Sequence, residues 1–134
     1  MILMRKGILS SPAGNQPNIL AVKRTVEKLH ALLDLPENWN SYGAPPIRPD
    51  VIEYAVRWVP TLLQRRTPEP AVVPTARGGL QLEWHRKGVD VEIYVDAPDN
   101  VRFVAEDLTA GKSVEERLRG NEQVLATWLT RISD

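Results

Sequence analysis

Leu80-Gln-Leu-Glu-Trp-His-Arg-Lys-Gly-Val-Asp-Val-Glu-Ile-Tyr-Val95 decides the architecture. Leu80, Leu82 and Trp84 alternate with Gln81, Glu83 and His85. After Lys87-Gly88, Val89, Val91, Ile93 and Val95 alternate with Asp90, Glu92 and Tyr94. A period of two, rich in β-branched residues, is the pattern of half-buried strands. Lys87-Gly88 fits a two-residue hairpin turn, glycine supplying positive φ at its second position. The register then sets Trp84 opposite Val91, Leu82 opposite Ile93, Glu83 opposite Glu92 and His85 opposite Asp90. A slip of one residue would bury charge and expose the indole. The spacing therefore predicts that Trp84 points inward, beneath helices and against residues such as Leu29, Ile52 or Leu125.

Working outward, Ala97-Pro-Asp-Asn100 reads as a turn and Val101 to Ala105 as a third strand. Val72-Val73 adds a short strand before Gly78-Gly79. Upstream, Val22, Val26, Leu29 and Leu33, flanked by Ile19 and Leu32, make one stripe on a helix from Ile19 to about Leu33. Asn18 is its N-cap, and Leu35-Pro36 ends it. A second helix opens with Pro49 at its first position, with Asp50 and Glu53 near its positive end. Its stripe is Ile52, Ala55, Val56, Val59, Leu62 and Leu63, and Pro60 should kink it or end its regular part early. Downstream, Ser113-Val-Glu-Glu116 is a capping box. It predicts a helix carrying Leu118, Val124, Leu125, Trp128, Leu129 and Ile132 to the C-terminus.

The expected fold is α+β: two N-terminal helices, an antiparallel meander of three to four strands and a C-terminal helix, with the helices on one sheet face. Short turns between consecutive strands force antiparallel pairing and exclude a doubly wound parallel sheet. Residues 1–18 read as an N-terminal arm and loop, and 19–134 as a single domain of ordinary size.

Composition narrows the function. Lys plus Arg and Asp plus Glu are 17 each, a balance that argues against nucleic acid as a partner. Cysteine is absent, which removes disulfides, thiolate zinc sites and cysteine nucleophiles. No apolar run approaches the ~20 residues of a membrane span. The apolar start, Met1-Ile-Leu-Met-Arg-Lys-Gly-Ile-Leu9, is broken by Arg5 and Lys6 and lacks the form of a signal peptide. The expected compartment is the cytoplasm.

Three groups of residues are candidates for chemistry or binding. The loop Asn38-Trp-Asn-Ser-Tyr-Gly-Ala44 offers Trp39 and Tyr42 as recognition aromatics, with Tyr94 on the polar sheet phase as a third. Its structural reading, favoured for Trp39, has the indole plugging the core and Gly43 taking a special backbone angle. The second group is the polar hairpin face, Glu83, His85, Asp90 and Glu92. Two carboxylates and an imidazole can hold a divalent metal or run acid–base chemistry, against a bland reading as a solvated face with one His–Asp pair. The third is Arg24 and His30, at the spacing of some helical ribonucleases. Six positions apart they differ by about 240° around a helix, so they share no face. Arg65-Arg66 and Arg86-Lys87 are too short for a nucleic-acid patch. No glycine-rich phosphate loop, serine elbow, EF-hand or zinc pattern is present.

Leu35-Pro-Glu-Asn-Trp-Asn-Ser-Tyr-Gly-Ala-Pro-Pro-Ile47 and Val73-Pro-Thr-Ala-Arg-Gly-Gly-Leu-Gln-Leu-Glu-Trp-His85 resemble a group of small bacterial proteins without assigned chemistry. These share a Leu-Pro-x-Asn-Trp-x-x-Tyr-Gly-Ala loop and a Pro-Thr-x-x-Gly-Gly-x-Gln-Leu-Glu-Trp hairpin. The likeness covers about residues 20 to 95. Arg48 before Pro49 departs from the Ser or Asp cap expected there. Because such proteins are often encoded in mobile or defence-related loci, the resemblance implies a partner protein. The expectation is thus a non-enzymatic accessory or inhibitor protein with no cofactor and no resident metal. The alternative is a metal-assisted hydrolase or nuclease on the hairpin's polar face.

Overall fold

The computed structural model describes residues 16–134. The N-terminal arm and loop expected over residues 1–18 lies, up to residue 15, outside the described residues. The elements run α1 (Ile19–Ala31), a 3-10 turn (Leu32–Asp34), α2 (Pro49–Leu62), five strands and α3 (Glu122–Arg131). The strands are β1 (Ala71–Pro74), β2 (Leu80–Arg86), β3 (Val89–Ala97), β4 (Asn100–Asp107) and β5 (Lys112–Arg117). They form one antiparallel sheet in chain order. The fold is α+β, with one strand more than the expected three to four.

The central hairpin has the register that its alternation requires: Leu82 pairs with Ile93, Glu83 with Glu92, Trp84 with Val91 and His85 with Asp90. Its turn carries positive φ at both Lys87 (56°) and Gly88 (72°), the twist that a two-residue hairpin needs. Leu80, Leu82, Trp84, Val91, Ile93, Val95, Val101, Phe103 and Ala105 are all buried, in one cluster with Leu29, Ile52, Val59, Leu63, Leu125 and Leu129 of the helical side. Each such side chain fully removed from water contributes about 1.5–3 kcal/mol. The opposite phase of β2 and β3 is only half-buried or exposed, so the sheet has one covered face and one open face. Trp84 is 3% exposed, in the same cluster as Leu29, Ile52 and Leu125, and its indole N–H donates to the Pro68 carbonyl at 2.7 Å.

Two expectations need correction. The capping box does not open a helix: Lys112–Arg117 is strand β5, paired with β4. The Asp107 carboxylate accepts from the Thr109 and Ala110 amides, and Gly111 takes φ 69°, which folds the chain back. Pairing along β4 satisfies backbone groups that a helix at 113 would leave unpaired at that edge. Leu118 continues this pairing through its amide to Val101, and α3 begins only after Gly120 and Asn121. Within α3 the buried side is Leu125 and Leu129, followed by Ile132, with Trp128 half-buried and Val124 38% exposed.

The second correction concerns the stripe on α1. It lies one position over, at Ala21, Thr25, Leu29 and Leu32, while Ile19 and Leu33 are 77% and 50% exposed. Ala21 and Thr25 are buried, and the larger Val22 and Val26 are only half-buried beside them. Asn18 caps α1 as expected, its side chain accepting from the Ala21 amide. In α2, Val51 joins the buried side and Val56 is half-buried. Pro60 is accommodated in the last turn, and α2 ends two residues later, at Leu62.

Candidate functional site

The Asn38–Ala44 loop is built by asparagines. Asn38 and Ser41 both have positive φ, 62° and 69°, and Gly43 follows at 84°. Non-glycine residues reach this region at a cost, and asparagine tolerates it best. The loop is held by its own side chains. The Asn38 carboxamide oxygen accepts from the Gly43 amide at 2.6 Å, and that of Asn40 accepts from Tyr42 at 2.9 Å and Ala44 at 3.2 Å. The Asn38 amide closes the base on the Ala44 carbonyl at 2.8 Å. Trp39 is half-buried against the core and its indole N–H donates to Pro45 at 2.8 Å. Its indole lies against the core and does not plug it. Tyr42, by contrast, is 91% exposed, on a backbone bridged by the Asn38 and Asn40 side chains. Beyond the loop, the Arg48 amide donates to the Gly78 carbonyl in the turn between β1 and β2.

The second candidate group sits on the open sheet face. Glu83 pairs directly with Glu92, and Asp90 with both His85 and Glu106, so the pleat brings like charges together. Neutral donors accommodate them. The Gln81 amide donates to Glu83 at 2.5 Å and the Tyr94 hydroxyl to Glu92 at 2.6 Å. His85 places Nδ1 2.8 Å from Asp90 and Nε2 3.5 Å from Glu83. One donor atom from each of Glu83, His85 and Glu92 falls within 4.8 Å of the others. Of Glu83, His85, Asp90 and Glu92, the four residues of the alternative reading, three bring donor atoms together, and Asp90 stands behind the imidazole. Tyr94 is half-buried rather than free: the Arg102 guanidinium lies 4.0 Å above its ring, and the hydrogen bond to Glu92, helped by burial, pushes its hydroxyl pKa up to about 12. Sequence reasoning did not foresee the Arg102 stack, although Tyr94 opposite Arg102 follows from the register of β3 and β4.

The hydrogen bond to Asp90, with the charges of Asp90 and Glu83 adding to it, raises the His85 pKa above its ordinary 6.5, and partial burial opposes the shift. A raised folded-state value means that the stabilisation is fully present below pH 6.5 and is lost as pH rises through the folded-state pKa. An NMR titration should place the His85 midpoint above 6.5 in the native chain. In Asp90→Asn the midpoint should move down. A midpoint that ignores the substitution would contradict this assignment of the bond.

Arg24 and His30 are not brought together: Arg24 lies 3.8 Å from Glu69, and His30 is exposed on α1. A groove of about 810 Å³ runs between the end of α2 and α3 and is lined by Trp58, Leu62, Arg65, Arg66, Leu125 and Leu129 among others. It belongs to the helical side, away from the hairpin's open face. Among the described residues, no helix is long and apolar enough to cross a membrane. No protein-family model matches the chain, and neither a curated protein nor a solved structure matches it.

Proposed function

We propose that this chain is a non-enzymatic interaction protein, an accessory or inhibitor subunit that works with a protein partner in the bacterial cytoplasm, and that Tyr42 is its principal contact. The observation that carries this reading is the 91% exposure of Tyr42 on a loop whose backbone is fixed by asparagine side chains. A rigid loop presenting an aromatic gives large contact area at low entropic cost, which is what binding hot spots need. Strain at Asn38 and Ser41 fits this use, since unfavourable backbone angles cluster at ligand clamps. The likeness to small proteins of mobile and defence loci supports a partner in such a locus.

The alternative, a metal-assisted hydrolase or nuclease, has one observation in its favour: the convergence of Glu83, His85 and Glu92. Against it, those residues line neither the 810 Å³ groove nor a smaller one of about 390 Å³. An open sheet face offers no walls to exclude water or orient a substrate. Affinity capture from the native host is the test. Wild-type chain should retain one stoichiometric protein, and Tyr42→Ala, with unchanged circular dichroism and melting temperature, should lose it. No stoichiometric protein on the wild-type chain, or equal retention by both, would contradict the proposal.

A further inference from the structure

We propose that Glu83, His85 and Glu92 form a site for one divalent first-row transition-metal ion of the Zn²⁺ class on the open face of the β2–β3 hairpin. The donor set is one imidazole nitrogen and two carboxylates, a combination that suits Zn²⁺ better than the all-oxygen cations. The donor atoms already lie within 4.8 Å of one another. Around tetrahedral Zn²⁺, with bonds of about 2.0–2.2 Å, ligand atoms stand about 3.4 Å apart. Side-chain rotations on this face can close that difference, because no backbone separates the three groups.

Two further features set this group apart from an ordinary acidic surface. Each donor is oriented from behind by a different residue. Asp90 holds His85 Nδ1 at 2.8 Å, which turns Nε2 toward Glu83. The Gln81 amide holds one Glu83 oxygen at 2.5 Å, and the Tyr94 hydroxyl holds one Glu92 oxygen at 2.6 Å. A carboxylate behind a ligating imidazole and hydrogen bonds behind ligating carboxylates are the supports that metal sites use. In addition, no Lys or Arg among the described residues forms a salt bridge with Glu83 or Glu92, although the two carboxylates face each other directly across the strands. A divalent cation held between them would neutralise both carboxylates. The neighbouring facing pair, Asp90 and Glu106, offers no free imidazole nitrogen and serves as an internal control.

The test is calorimetric titration of the untagged chain with Zn²⁺ at neutral pH, together with melting temperature. One ion should bind per chain and raise the melting temperature, since a ligand of the native state must stabilise it. His85→Gln and Glu92→Gln should each weaken Zn²⁺ at least about tenfold, as should Asp90→Asn through the loss of imidazole orientation. Glu106→Gln removes the same charge nearby and should change affinity by no more than about twofold, and His30→Gln should leave it unchanged. Absence of heat and of any melting shift at millimolar Zn²⁺ would overturn the proposal. So would equal losses in Glu106→Gln and His85→Gln, or Ca²⁺ binding as tightly as Zn²⁺, because either marks a diffuse acidic surface.

Discussion

Trp84→Ala is expected to lower unfolding free energy by about 3–5 kcal/mol, a large part of the stability of an ordinary domain. The indole is 3% exposed and belongs to the cluster that joins sheet to helices, so its removal leaves a cavity that rigid strands cannot close. The substitution also strands the Pro68 carbonyl that accepts the indole N–H. Trp84→Phe isolates that second component: most of the packing stays, and the half-buried Pro68 carbonyl loses its donor, at a cost of about 1 kcal/mol. Glu83→Ala, one residue along on the open face, should cost less than about 1 kcal/mol. Urea midpoints of the three variants decide the matter. A Trp84→Ala chain that folds normally but fails to bind a partner would mean that β2 presents its tryptophan outward.

Gly79→Ala is the second large effect. A methyl group at this position would stand 2.5 Å from the Val95 carbonyl oxygen and 3.2 Å from the Asp96 Cα, both backbone atoms. Neither can swing aside as a side chain would. The close approach occurs where β3 breaks register between Val95 and Ala97, so the Thr75–Leu80 turn packs its backbone directly on that irregularity. Gly79 is also tied at both ends, its amide donating to the Thr75 hydroxyl and its carbonyl accepting from the Thr75 amide. Forcing an extra carbon into such a site costs about 1–3 kcal/mol, and the upper part of that range is expected here because the clash is with main chain. A urea midpoint equal to that of the unsubstituted chain would show that the turn can shift.

Much of the fold was legible because its signals were periodic. The alternation from Leu80 to Val95 set face and register together, and nothing in tertiary structure competes with a pattern whose one-residue slip would bury Glu83 and Glu92. Asn18, Pro49 and Gly88 were readable for a different reason, since each has a specific backbone or capping chemistry. The misreading at Ser113 arose where two local signals competed. Its capping box is genuine as a pattern, but Asp107 and Gly111 form a hairpin loop just before it, and the free edge of β4 decided in favour of a strand. The stripe on α1 was misplaced because the contact depends on small residues, Ala21 and Thr25, which a hydrophobic pattern passes over.

The candidate sites divide along the same line. That Glu83, His85, Asp90 and Glu92 share the open face followed from strand phase alone. The exposure of Tyr42 did not, because a loop has no period. The signal available there was the run of Asn38, Asn40 and Gly43, residues that tolerate positive φ and bridge their own backbone. Arg102 above Tyr94 required knowing that β4 follows β3 in register.

The affinity of the purified chain for the protein it captures from its host, measured with Tyr42 intact, as Tyr42→Phe and as Tyr42→Ala, tests the central claim most directly. A hot-spot tyrosine is worth about 2 kcal/mol or more, so Tyr42→Ala should weaken binding by at least about 30-fold, with Tyr42→Phe close to the unsubstituted chain where the ring supplies the contact area. Equal affinities for all three, in chains with equal melting temperatures, would show that the Asn38–Ala44 loop holds Tyr42 out for some purpose other than this partner.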